Sequence, residues 1–71
     1  MTLTMAPIGE KMMIHKITGK DEVRSHLASL GFVEGASVSL VNELNGNVII
    51  NVKDTRIALN KALSNRIIVN Q

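Results

Sequence analysis

The chain alternates between short apolar runs of period two and clusters of turn residues, with one helical stretch between the first two runs. In residues 11–17, Met12 and Ile14 share a face and Ile17 is a further residue available for burial, the alternation of a half-buried strand. Thr18-Gly19-Lys20-Asp21 then opens a helix. Thr18 reads as its N-cap, with Asp21 three positions on as an acidic variant of the capping box. Asp21 and Glu22 suit the positive end of the helix dipole. Val23, Leu27 and Leu30 fall at i, i+4 and i+7, one apolar stripe, and predict a helix over about 21–30.

Gly31 and Gly35 bracket the exit of that helix. Glycine just past a helix takes the left-handed conformation that other residues resist, so Gly31 reads as the stop. Gly35 reads as a turn residue needing positive φ. Beyond it the period returns to two. Val38 and Leu40 alternate with Ser37 and Ser39 until Val41 breaks the pattern. Asn45-Gly46 predicts a type I′ hairpin turn. Residues 47–52 read as the next strand, with Val48, Ile50 and Val52 on one face, although an alternate register would bury Ile49 instead of Ile50. A turn at 53–55, a strand at 56–59 with Ile57 and Leu59 inward, a helical turn at 60–63 and a last strand at 66–69 complete the reading. Pro7-Ile8-Gly9 marks a turn before the first strand.

Five short strands joined by tight turns predict a mainly β fold: a small, partly open barrel with one inserted helix. With 71 residues the chain reads as one domain, 1–71. A domain of that size buries only about 60% of its unfolded surface. No cysteine is present, and Phe32 is the one aromatic. Disulfides and thiolate metal sites are thereby excluded, and the core must be built from Ile, Val, Leu and Met. Net charge is +2, with acids and bases interleaved. No basic n-region followed by an apolar run stands at the start, so no signal peptide is expected. No apolar run approaches the roughly 20 residues of a membrane span. A cytoplasmic protein is expected.

Taken together, residues 27–35 (Leu-Ala-Ser-Leu-Gly-Phe-Val-Glu-Gly), then Val38, Arg56-Ile57-Ala58-Leu59, Ala62 and Ile67-Ile68-Val69 resemble the FeoA family, the small ferrous iron transport protein A. Pro7-Ile8-Gly9-Glu10 fits that family's early Pro-x-Gly turn, so the resemblance runs from Pro7 to Val69. It implies an SH3-like barrel with a helical insertion and a partner, the FeoB-type membrane iron transporter with its cytosolic GTPase domain. It also implies an accessory role, not an enzyme, at the inner face of the membrane through that partner. The same barrel forms the C-terminal domain of iron-dependent repressors of the diphtheria toxin repressor type. No helix-turn-helix precedes it here, which favours the free-standing form.

The candidate chemistry is sparse. His15 and His26 are the only histidines. Iron(II) sites commonly use two His and a carboxylate, and Glu22 shares a helix face with His26. A two-ligand surface site binds weakly, however, and no metal or cofactor is expected. No cysteine nucleophile, serine elbow or glycine-rich phosphate loop is present, so no catalytic residue is expected. Lys53, Arg56, Lys61 and Arg66 cluster in the second half, but Tyr and Trp are absent and the one Phe sits at the helix exit. Nucleic-acid binding, which needs both features, is the alternative but not the expected function. A metal-responsive module related to the repressor barrels is the other alternative. A protein-docking surface is favoured. Phe32 and Val33 lie on the tight connection after the helix, while Val41, Ile49 and Ile68 fall on strand faces opposite the core. Exposed apolar residues that form a patch mark interaction sites. Edge strands of an open barrel also allow pairing between copies. Gly31, Gly35 and Gly46 are expected to be structural.

Overall fold

In the computed structural model, which describes residues 1–70, the alternating runs become one five-stranded antiparallel sheet. Gln71, the last residue of the expected 1–71 domain, lies outside the described residues. The strands are β1 (Lys11–Ile17), β2 (Ser37–Leu44), β3 (Asn47–Val52), β4 (Thr55–Asn60) and β5 (Ile67–Asn70). Helix α1 (Asp21–Ser29) joins β1 to β2, and the short helix α2 (Lys61–Ser64) joins β4 to β5. A 3₁₀ turn, Leu3–Met5, precedes them. The sheet order is β4-β3-β2-β1-β5, curled into a barrel that does not close.

The core follows from the pleat. Met12 and Ile14 of β1, Val38 and Leu40 of β2, Val48, Ile50 and Val52 of β3, Leu59 of β4, and Ile67 and Val69 of β5 all turn inward and are buried. Ile50 is buried and Ile49 half-buried, which fixes the register left open by the sequence. Two bulges adjust the parity. Opposite β3, Val41 is an extra residue between Leu40 and Asn42, and this is where the sequence alternation fails. Opposite β5, His15 is an extra residue between Ile14 and Lys16. A bulge inserts one residue and changes the facing of those that follow, so Ile14 and Ile17 both turn toward the core despite their odd spacing.

Both β-hairpin turns have two residues at positive φ, the type I′ signature. Asn45 and Gly46 lie at φ 53° and 80°, and Lys53 and Asp54 at 51° and 62°. The second turn lacks the glycine that would announce its type.

The N-terminal segment contributes more than the sequence pattern indicated. Leu3 is fully buried and Ala6 nearly so. The Met1 ammonium donates to the Val69 carbonyl, and the Val69 amide donates back to Met1. Thr2 bridges Ile68. The outer edge of β5 is therefore covered by the start of the chain. Pro7–Glu10 forms a turn whose Glu10 amide donates to the Pro7 carbonyl, and Gly9 donates to Leu40. At the other end of the sheet, α2 begins on Asn60, whose side chain caps the Leu63 amide.

The expected capping box at α1 does not form. Lys20 is the N-cap residue and makes no side-chain cap. Thr18 instead donates its amide and hydroxyl to the Arg66 carbonyl, tying the helix entry to the start of β5. Lys20 is the residue before the first helical position, so the Thr18 hydroxyl lies two positions too early to cap, and the Arg66 carbonyl takes it.

Candidate functional site

Helix α1 is short, and Leu27 is its one fully buried residue, with Val23 and Leu30 packed partly against the core. Its exit is better defined than its entry. Leu30 is the C-cap, and Gly31 follows at φ 104°. The Gly31 amide donates to Ala28 and the Phe32 amide to Leu27. These two bonds are the Schellman pattern, which usually carries an apolar contact between the residues at its ends. Those residues here are Leu27 and Phe32, both fully buried.

A β-turn follows immediately. The Ala36 amide donates to the Val33 carbonyl, with Gly35 at φ 88° in the third position. Positive φ there defines a type II turn. Its end is stitched to β1, because Gly35 donates to Ile14 and Ile14 donates to Ala36. Helix and turn thus form two walls with a groove between them of about 570 Å³. Phe32 and Ile17 lie at its floor, Ala28 and Val33 on its sides, and Arg24 and Glu34 at its polar rim. Arg24 is held by Asp21 one turn earlier on the helix.

The residues singled out from the sequence fare differently. Phe32 was expected to be presented as a docking side chain, and this is corrected: it is fully buried. As the only aromatic in a small core, and as the last residue of the Schellman motif, it is pulled inward and supports the groove from below. Val33 is exposed at 38% and stands at the groove wall. Val41 and Ile49 are half-buried on the outer face of the sheet, on neighbouring strands. Ile68 is also half-buried, but it sits on β5 between Lys16 and Thr2. With β1 and β2 between β5 and β3, these three do not form one patch. Exposed apolar residues that the sequence reading passed over are Met5, Ile8, Met13 and Leu44. Leu44 lies on the outer face diagonal to Ile49. For Leu44 the missing cue was the Val41 bulge, which carries the alternation set by Val38 and Leu40 onto the other face.

His15 and His26 are both exposed, the first on a β1 bulge and the second on α1. Among the described residues, no three His, Asp or Glu side chains are grouped closely enough to hold a metal. Lys53 lies along Gly31, its Cδ 3.6 Å from where a β-carbon would stand, so its stem covers the negative end of α1. Arg66 lies along Gly19 in the same manner. Two of the four clustered basic residues thus pack their stems against the two ends of the helical insertion. The one Phe is in the core and Tyr and Trp are absent from the sequence, so the only surface rings among the described residues are the imidazoles of His15 and His26. No helix among the described residues is long and apolar enough to cross a membrane.

Comparison with known proteins agrees with this geometry. The sequence matches the FeoA domain over residues 1–71. A relative from Methanocaldococcus jannaschii, provisionally named an Fe(2+) transport protein A, is 31% identical over 67 residues, covering 94% of this chain and 82% of its own. Among solved structures, an iron uptake regulatory protein, FeoA, superposes with a TM-score of 0.90 at 28% identity, over 99% of this chain and 95% of that one. A zinc complex of Stenotrophomonas maltophilia FeoA superposes with a TM-score of 0.85 at 26% identity, over 99% and 89% of the two chains. That protein is described as a prokaryotic SH3 domain, with a suggested role as a ferrous iron transport activating factor. The partly open barrel here has the same SH3-like architecture.

Proposed function

The chain belongs to the FeoA family of ferrous iron transport, and on that premise we propose that it is a non-enzymatic accessory factor that docks on the cytosolic part of a FeoB-type transporter and modulates it. A small barrel can bias a larger protein only by binding one of its conformations more tightly than another. The observation that carries the reading is the groove beside α1, with its apolar floor, the exposed Val33 on one wall and polar groups at the rim. An apolar centre ringed by polar residues is the usual anatomy of a docking surface. Any nucleotide chemistry then belongs to the transporter, because this sequence offers no nucleophile motif or phosphate loop.

The test is the affinity of the Val33→Asp and Ala28→Glu variants for the transporter's cytosolic region, after amide spectra have shown that both still fold. We expect each to weaken binding on the order of tenfold or more. Ile49→Ser and Ile68→Ser, on other parts of the surface, rank those positions against the groove. Wild-type affinity in both groove variants would remove the groove as the docking site.

A further inference from the structure

The two ends of the sheet are finished differently. The outer edge of β5 is occupied by Met1, which exchanges backbone hydrogen bonds with Val69, and by Thr2, which bridges Ile68. The outer edge of β4 pairs with nothing, since β4 is the terminal strand of the sheet and no described segment bonds to it. Which of its groups are free follows from the hairpin. A two-residue I′ turn is flanked by a pair that exchanges both hydrogen bonds, and such pairs alternate along the ladder. The closing pair is Val52 and Thr55, so Ile57 and Leu59 are likewise bonded to β3. Arg56 and Ala58 therefore direct their N–H and C=O groups outward. Beyond them, Asn60 starts α2 and ends the strand.

We infer that this edge, at Arg56 and Ala58, is a strand-addition site for an extended acidic polypeptide segment. Free backbone donors and acceptors on an edge strand are a template for another chain, which supplies affinity through the main chain and selectivity through side chains. The side chains here select for negative charge. Of the eight Lys and Arg residues of the chain, Lys53, Arg56 and Lys61 lie in β4 or within two residues of it, and Asp54 is the one acid in residues 53–61. Lys61 is paired with Glu43, whereas Arg56, exposed at the centre of the edge, takes part in no ion pair among the described residues. The small, exposed Ala58 leaves room for an incoming backbone.

The same charges disfavour a second copy of this chain in two of the three antiparallel registers that the free groups allow. Antiparallel pairing of two β4 strands centred on Arg56 opposes two guanidinium groups, and pairing centred on Ile57 opposes Lys53 to Lys61. Like charges placed opposite each other destabilise a strand pair. The edge lies apart from the groove beside α1, so the inference does not rest on the docking proposal.

The probe is an acetylated, amidated peptide of alternating Glu and Val, added to the isotopically labelled full chain at low salt. We expect amide shifts centred on Arg56 and Ala58, slowed exchange of those two amides, and binding that weakens as salt rises. N-methylation of alternate peptide amides, on the face that pairs, should weaken binding on the order of tenfold. Replacing Glu by Lys in the peptide, and Arg56→Glu in the protein, should each do the same. Val33→Asp should leave peptide binding unchanged, which separates this site from the groove. Silence at both amides at about 1 mM peptide would overturn the inference, as would equal binding of the N-methylated or Lys-substituted peptide. Concentration-dependent dimerisation that protects the same two amides without peptide would overturn it in favour of self-pairing.

Discussion

The β2–β3–β4 meander and the α1 insertion are held by different means. In the meander every second residue is an anchor, and Val38, Leu40, Val48, Ile50, Val52 and Leu59 are all buried along three hydrogen-bonded strands. The insertion hangs from far fewer points: Leu27 on the helix, Phe32 just beyond it, and the Schellman bonds that join them. Repetition makes the meander tolerant, because the loss of one anchor leaves neighbours on both sides. The insertion concentrates its attachment, and the candidate docking groove is built on it. The surface proposed to meet a partner is thus the part of the molecule whose position depends on the fewest side chains.

Phe32→Ala should break this contrast most severely. Removing a buried phenylalanine costs about 3–5 kcal/mol, a large share of the stability of any small domain. Urea denaturation should show most of the stability gone and the groove lost with it. Leu27→Ala should cost about 2–4 kcal/mol but act more locally. Native-state hydrogen exchange should show the α1 amides losing protection while β2, β3 and β4 amides retain theirs. Equal loss in both regions would mean that insertion and meander unfold as one unit.

Gly31→Ala is a finer probe. A β-carbon there meets Lys53 and Val52 only at ordinary contact distance, so the cost is conformational, about 1–2 kcal/mol for a left-handed residue with a side chain. Thermal unfolding should register that loss, and a Lys53→Ala background should not relieve it.

Ser64→Ala runs in the other direction. The Ser64 hydroxyl is buried without a hydrogen-bond partner among the described residues, and removing such a group recovers part of a desolvation cost of about 1–3 kcal/mol. A rise in the denaturation midpoint is expected, and a fall would show that the hydroxyl has a partner in solution. The smallest effect belongs to the meander. Asp54→Gly relieves positive φ in the second I′ turn while loosening the unfolded chain, for a net gain of roughly 0.5 kcal/mol.

The strands were legible in the sequence because a period of two, turn residues and β-branched residues agree over most of the runs. Lys11–Ile17 and Asn47–Val52 are read to the residue. The N-terminal segment was not legible: Leu3 and Ala6 are core residues in a stretch without periodicity, and nothing local distinguishes them from a loose end. Thr18 misled for a related reason. A capping hydroxyl and a hydroxyl that bonds across the fold look the same in sequence, and here Arg66, 48 residues away, is the partner. Phe32 was the hardest residue of the site to read. Its position on a tight connection suggested exposure, whereas the Schellman geometry that makes the connection tight also turns the ring inward. Val33, its neighbour, is exposed because the chain reverses there.

The hydrogen bonds between Ile14 and the Gly35–Ala36 segment have a further consequence. They continue the β1–β2 pairing, so the two strands form a hairpin whose closing loop contains the entire helix. Everything from Thr18 to Glu34 leaves and rejoins the frame at neighbouring points. Lengthening such a loop costs little, about 0.6 kcal/mol per doubling. Insertions and deletions between Thr18 and Val23, ahead of the Leu27 and Phe32 anchors, are therefore the length changes this barrel should tolerate best. A lineage could remodel one wall of the groove there while the frame that carries it stayed the same.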